Sequence, residues 1–376
     1  MKKYLPIIIV ALLSGSCKIY KAVSILSSSK ITVDTTTKLF FSNADKSMVT
    51  CLVDGKKTEM VFDLGANANL LGYIPDNIGQ YKKLVGHATG IDGKRTQNIV
   101  CAVPHFETVA FKWKSAPFVV VDAKAGSVCG QQQTINVLGA SILQANQRLF
   151  LNYKDGYLQF VGKRFDLSDY REVKCRFGKN GLVYIILKVN GTEHEFMFDT
   201  GNSLGMILSE ADAGNMKPDY ELENYVVNFK NEAIISTGKA FKNVPVTVFP
   251  GMTVKAGMIT QSSIKASNAG LKFIKNFNWL IDAEHEKIYC RLINEKILQD
   301  APEIQLANQL AGISRGVLLV QGIRKNASKF HVGDRINSVQ QKNITADNMC
   351  DMLDVLNTSY NWDTLQVITE RPPAVK

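Results

Sequence analysis

One stretch of this chain occurs twice. The first copy begins Val53-Asp54-Gly55 and ends Met60-Val61-Phe62-Asp63-Leu64-Gly65-Ala66. The second begins Val189-Asn190-Gly191 and ends Phe196-Met197-Phe198-Asp199-Thr200-Gly201-Asn202. Val53 and Val189 stand 136 positions apart, as do Asp63 and Asp199, so the copies align without a gap. Such a repeat means that two parts of the chain take up the same local structure. It also leaves one aspartate at the same place in each half.

Each copy has a readable form. Residues 48–53 and 184–189 are rich in side chains that favour strands. Asp54-Gly55 and Asn190-Gly191 suit a two-residue hairpin turn, in which both central residues need positive φ. A second apolar strand then runs into Phe-Asp. The glycine two positions later permits a sharp turn and close backbone approach. The likeness continues downstream. Leu149-Phe150-Leu151-Asn152 followed by Tyr157-Leu158 matches Trp279-Leu280-Ile281-Asp282 followed by Ile288-Tyr289. Both read as hairpins, around Lys154-Asp155-Gly156 and Glu284-His285-Glu286. Ile135 to Gly139 corresponds roughly to Leu271 to Ile274. Strand-sized segments dominate and long 3.6-residue periods are scarce, so the expected fold is mainly β, in two similar lobes.

With 376 residues, the chain is long enough for two or three domains. Past residue 30, no apolar run reaches the roughly 18 residues that a membrane span needs. Lys2 and Lys3 precede an apolar run from Tyr4 to Leu13 and then Ser14-Gly15-Ser16-Cys17, which is the layout of a secretory signal over residues 1–17. Cleavage before Cys17 resembles bacterial lipoprotein processing, in which the cysteine is lipidated and tethers the chain to a membrane surface. Ordinary signal-peptidase cleavage at the same small residues is the other reading. Either way the expected location is the cell envelope, as a periplasmic or outer-membrane protein.

The net charge of +10 comes from scattered lysines, without a dense basic run or an aromatic stacking motif. This argues against nucleic acid as a partner and suits a surface facing anionic lipid or envelope polymer. The cysteines lack a C-x-x-C pair, and His87, His105, His194, His285 and His331 have no ligand spacing, so no metal is expected. In an exported protein the cysteines either pair as disulfides or serve as small buried apolar residues. Composition does not exclude Ser-His-Asp catalysis, but a Gly-x-Ser-x-Gly elbow is not expected to support it.

Phe62-Asp63-Leu64-Gly65-Ala66 and Phe198-Asp199-Thr200-Gly201-Asn202-Ser203 resemble the motif of the pepsin and retropepsin clan of aspartic proteases. That motif is an apolar residue, then Asp-Thr/Ser-Gly-Ala/Ser, once per lobe. Val137-Leu138-Gly139 matches the clan's later apolar-apolar-Gly element. The likeness covers about residues 35–295, with lobes at 35–165 and 170–295. It implies a single-chain peptidase whose catalytic residues are Asp63 and Asp199, supported by Leu64, Gly65, Thr200, Gly201 and Asn202. Two such carboxylates about 3 Å apart cannot both ionise and so share a proton. No cofactor is implied. Gly90, Ile91, Asp92 and Gly93 would form the tip of a flap over a peptide or protein substrate. Ser236-Thr237-Gly238-Lys239 would be its weaker counterpart. Leu64 stands where the clan has a hydroxyl, so the alternative is an inactive envelope protein that binds extended peptides. Asn202 would place an amide near a carboxylate.

After residue 300 the pattern changes. An apolar strand starts at Gly316, Gly333-Asp334-Arg335-Ile336-Asn337 follows, and a helix is expected over residues 346–356, with Met349, Met352, Leu353 and Leu356 on one face. Residues 310–373 resemble a small α+β PDZ domain. That likeness implies that Gly316, Val317, Leu318 and Leu319 form an edge that binds a C-terminal or extended peptide. The other reading is a small domain packed on the lobes.

Overall fold

The structure, a computed structural model, describes residues 28–43, 46–89, 95–121, 127–128, 131–132, 136–145, 147–178, 181–227, 233–293, 308–314, 316–359 and 361–371. Among these the fold is mainly β. Both repeated hairpins form. Asp54 and Gly55 take φ of 48° and 80°, and Asn190 and Gly191 take 48° and 86°. These are the left-handed conformations of a turn whose twist matches the flanking strands.

The two halves repeat in three dimensions as closed six-stranded rings. In the first, Met48–Val53 pairs with Lys56–Asp63, which pairs in parallel with Val137–Gly139. Val137–Gly139 meets Asn69–Leu71, which runs parallel to Phe111–Val120. Phe111–Val120 pairs with Arg95–Glu107, which returns to Met48–Val53. The second ring is Val183–Val189, Thr192–Phe198, Asn268–Ala269, Met206–Ile207, Met252–Ile259 and Ala233–Phe249, closing on Val183–Val189. Strand closure leaves few free edges on either ring.

The element that answers Val137–Gly139 in the second ring is therefore Asn268–Ala269 with Gly270. Residues 271–274 are not a strand but the short helix Leu271–Ile274. The repeat is offset by 131 residues there rather than 136, and that shift hides the match in sequence. Both glycines are crowded. A Cβ on Gly139 would lie 2.8 Å from Ala66 O, and one on Gly270 would lie 2.5 Å from Gly205 O.

A third sheet joins the halves. Hairpin Arg148–Asn152/Tyr157–Val161 and hairpin Phe277–Asp282/Lys287–Leu292 pair with each other, Leu149 opposite Ile281 and Phe150 opposite Leu280. Arg148 Nε and Asp282 Oδ2, 3.0 Å apart and both buried, end this pairing. Leu149, Leu151, Trp279 and Ile281 belong to the same core cluster as Phe62 and Phe198 of the rings. The aspartate-bearing strands thus rest on one continuous core.

The C-terminal segment continues the second ring's sheet. Tyr220–Val227, which forms a long hairpin with Ala233–Phe249, pairs on its outer side with Val317–Arg324. Tyr225 packs against the C-terminal core of Leu318, Val320, Ile336 and Trp362. Helix Met349–Thr358 lays Met349, Met352, Leu353 and Leu356 on that core, as the periodicity implies. The expected peptide edge is not there. Gly316 sits in a turn at φ 73° that folds Val317–Arg324 onto Gln309–Ser314. Leu319 is paired with Gly312 on one side and Arg335 on the other, and Leu318 and Leu319 are buried.

Gly139→Ala and Gly270→Ala are each expected to cost about 1–3 kcal/mol, because backbone oxygens fill the space a methyl would take. Gly162, with nothing near its Cβ position, is the control. Urea unfolding midpoints check this.

Candidate active site

Each aspartate stands where a ring strand turns away. Asp63 ends Lys56–Asp63 opposite Gly139, and Asp199 follows Thr192–Phe198, its N–H donating to Ala269 O at 3.0 Å. The two turns meet face to face. Thr200 Oγ1 crosses between them, donating to Phe62 O at 2.7 Å and accepting from Leu64 N at 3.0 Å. A Cβ on Gly65 would lie 2.5 Å from Asp199 Oδ1, and one on Gly201 would lie 2.6 Å from Asp63 Oδ1. Each carboxyl therefore lies against the other half's glycine, and the two carboxyls hydrogen-bond to each other. Any side chain at 65 or 201 would push them apart.

The environment of Asp63 is hostile to its charge. Burial pushes its pKa well above the usual carboxylate range, and the Asp199 charge and the hydrogen bond to it push the same way. The backbone amides of Gly65 and Ala66 oppose this in part. Asp199 is better supplied with donors. Its Oδ1 accepts from Gly201 N at 3.0 Å and Asn202 N at 2.9 Å, and its Oδ2 accepts from Asn268 Nδ2.

The structure thus brings together Asp63, Gly65, Asp199, Thr200, Gly201 and Asn202. Leu64 is fully buried in the core cluster that also holds Phe62 and Phe198. Thr200 spans the interface without a counterpart hydroxyl. The side chain of Asn202 does not touch a carboxylate. Its Nδ2 donates to Asn268 Oδ1 at 2.8 Å, and Asn268 makes the contact instead. Nothing in the sequence marked Asn268, because Val137 holds its place in the first half.

Gly90, Ile91, Asp92 and Gly93 lie outside the described residues, as does Cys17. The strands below that tip, Lys82–Thr89 and Arg95–Glu107, are paired up to Thr89 and Arg95. Ser236-Thr237-Gly238-Lys239 is not a turn but the middle of Ala233–Phe249, paired with residues 221–224. Against the expectation that such an elbow is lacking, Gly201-Asn202-Ser203-Leu204-Gly205 spells the Gly-x-Ser-x-Gly pattern. That elbow needs a strand-to-helix turn. Here the segment leads into strand Met206–Ile207, and among the described residues no hydrogen bond joins Ser203 to a histidine.

No family model matches the chain, and no curated protein matches it. Among solved structures, the basic 7S globulin from soybean aligns at 10% identity and a TM-score of 0.38, covering 70% of this chain and 94% of that one. So slight a likeness carries no argument. These findings overturn the family assignment. The chain is not placed in the pepsin and retropepsin clan, nor its C-terminal segment among PDZ domains. The short motifs that suggested them are matched by nothing at the level of whole sequence.

Thr200→Val would leave the Leu64 N–H and Phe62 C=O without their partner in a dry interface. The expected loss is about 1–3 kcal/mol, while Thr200→Ser keeps the hydroxyl and most of the stability. Denaturant unfolding of both variants checks it.

Proposed function

We propose that the chain is a peptide hydrolase of the aspartic type, with Asp63 and Asp199 as its catalytic residues. The observation that carries this reading is the contact of two carboxyls from duplicated turns, each seated on the other's glycine. One member of such a pair is ionised and takes a proton from a water lying between them. The water oxygen then bonds to the scissile carbonyl carbon, while the protonated member gives its proton to the carbonyl oxygen. Collapse of the tetrahedral species breaks the C–N bond, and the amine leaves with a proton returned from the pair.

In this reading the rings are two lobes flanking a substrate cleft, and the paired strands Lys82–Thr89 and Arg95–Glu107 border it. The substrate is an extended peptide or protein segment. The signal-like start places the enzyme in the cell envelope, held to a membrane surface if Cys17 is lipidated. Leu64 favours a second reading, in which a loosened pair holds peptide without cutting it. A misplacement of about 1 Å can cost about 100-fold in rate.

Activity needs one proton on the pair, so it is lost at low pH when both carboxyls are protonated and at high pH when both are ionised. The raised Asp63 pKa moves the alkaline limb above the ordinary carboxylate range of about 4. A peptide-library cleavage assay across acidic to neutral pH tests the reading. Wild type is expected to cut, with Asp63→Asn and Asp199→Asn each lowering the rate by at least about 1,000-fold, several kcal/mol of barrier. Equal cutting by all three would overturn it. Cutting by none, recovered in Leu64→Thr, would establish the second reading for the natural chain.

A further inference from the structure

We propose that Asn268 is a positioning residue that makes Asp199 the ionised member of the pair and leaves the shared proton on Asp63. The inference rests on the aspartic reading for its catalytic meaning, though not for its titration.

Hydrogen-bond direction decides where the charge sits. A backbone N–H can only donate, so the 2.9 Å contact from Leu204 N fixes Asn202 Oδ1 toward it. That turns Asn202 Nδ2 toward Asn268, where it donates to Oδ1 at 2.8 Å. Asn268 must then present its Nδ2 to Asp199 Oδ2. The polarity runs from a main-chain amide through two side chains to one carboxylate, and no rotation of a single amide reverses it. Asn202 is further pinned by close packing, since a Cβ on Gly270 would lie 2.7 Å from its Nδ2. Asn268 itself is fully buried.

The first half has no such relay. Ala66 stands where Asn202 does, and Val137 stands where Asn268 does. Asp63 receives the Gly65 N–H at 2.8 Å and an Ala66 N–H, and otherwise faces Asp199. Asp199 faces N–H donors on both oxygens. Donors stabilise the charged form, so the negative charge settles on Asp199. The charged or titratable group acting on Asp63 is Asp199, and the others packed on the pair (Thr200, Asn202, Asn268 and main-chain amides) are neutral. The duplicated site is therefore chemically asymmetric. Asp199 is the general base toward water, and Asp63 is the acid toward the carbonyl.

The test replaces Asn268 with the residue its counterpart position already carries. In Asn268→Val, Asp199 loses a donor that favours its charged form, and the acid limb of the rate profile is expected to move up by roughly one pH unit. A second readout needs no activity. Wild type keeps a donor that favours the Asp199 carboxylate and the variant does not, so the wild type's advantage is absent where that carboxyl is protonated and present where it is ionised. The melting-temperature gap between wild type and Asn268→Val is therefore expected to widen, by roughly 2–4 °C, from about pH 3 to pH 7.

A merely structural asparagine would give a gap constant with pH and an unmoved acid limb, and that result overturns the proposal. If wild type is inactive, the aspartic reading fails and the melting series alone decides this one. If Asn268→Val does not fold, Asn202→Ala frees the Asn268 amide without removing it. A smaller shift in the same direction supports the relay, and no shift overturns it.

Discussion

Two carboxyl groups in contact in a largely buried place cannot both carry charge, and the rest of the fold is organised around keeping them there. Repulsion and desolvation would drive Asp63 and Asp199 apart were they free to move. They are held because each turn is closed by its own amides, because the facing glycines leave room, and because Thr200 ties the turns together. Behind the turns lie two closed rings, fused through the antiparallel pairing of Arg148–Asn152 with Phe277–Asp282. The rigidity needed at the pair is supplied by sheets that have few edges to fray.

The halves are duplicates in path and unequal in chemistry. Leu64 and Thr200 show the trade most plainly. A buried leucine contributes about 1.5–3 kcal/mol, more than the about 0.5–1.5 kcal/mol net of a hydroxyl's hydrogen bond. Stability therefore favours Leu64, at the expense of one of two cross-links between the turns. The long hairpins differ as well. The second is sealed along Tyr220–Val227 by the C-terminal strand Val317–Arg324, with Lys325 Nζ 3.2 Å from Glu221 Oε2. The first pairs along Lys82–Thr89 only with its own partner strand among the described residues. One hairpin is braced by the C-terminal strand, and the other keeps a free outer edge among the described residues.

Much of this was legible in the sequence wherever the determinant was local. Asp-Gly and Asn-Gly turns, alternating strands and the Phe-Asp-x-Gly endings all depend on neighbours along the chain, and all are found where the repeat puts them. Asn268 was not legible. It stands 69 residues from Asp199, its counterpart is apolar Val137, and a five-residue change of offset separates it from the gapless copies. The same shift led Leu271–Ile274 to be matched with a strand. Nor could strand composition show which neighbours would cover Gly316 to Leu319, because sheet order is decided by distant pairings. The motif likenesses to the pepsin clan and to PDZ domains drew on a handful of residues, too few to fix a family.

The central claim, one proton shared by Asp63 and Asp199, is tested most directly by infrared titration of the carboxyl C=O stretch. Wild type is predicted to keep one protonated carboxyl well above the ordinary range of about pH 4, and Asp63→Asn is predicted to lose that band. Spectra in which every carboxyl has ionised by about pH 5, alike in wild type and variant, would contradict the account.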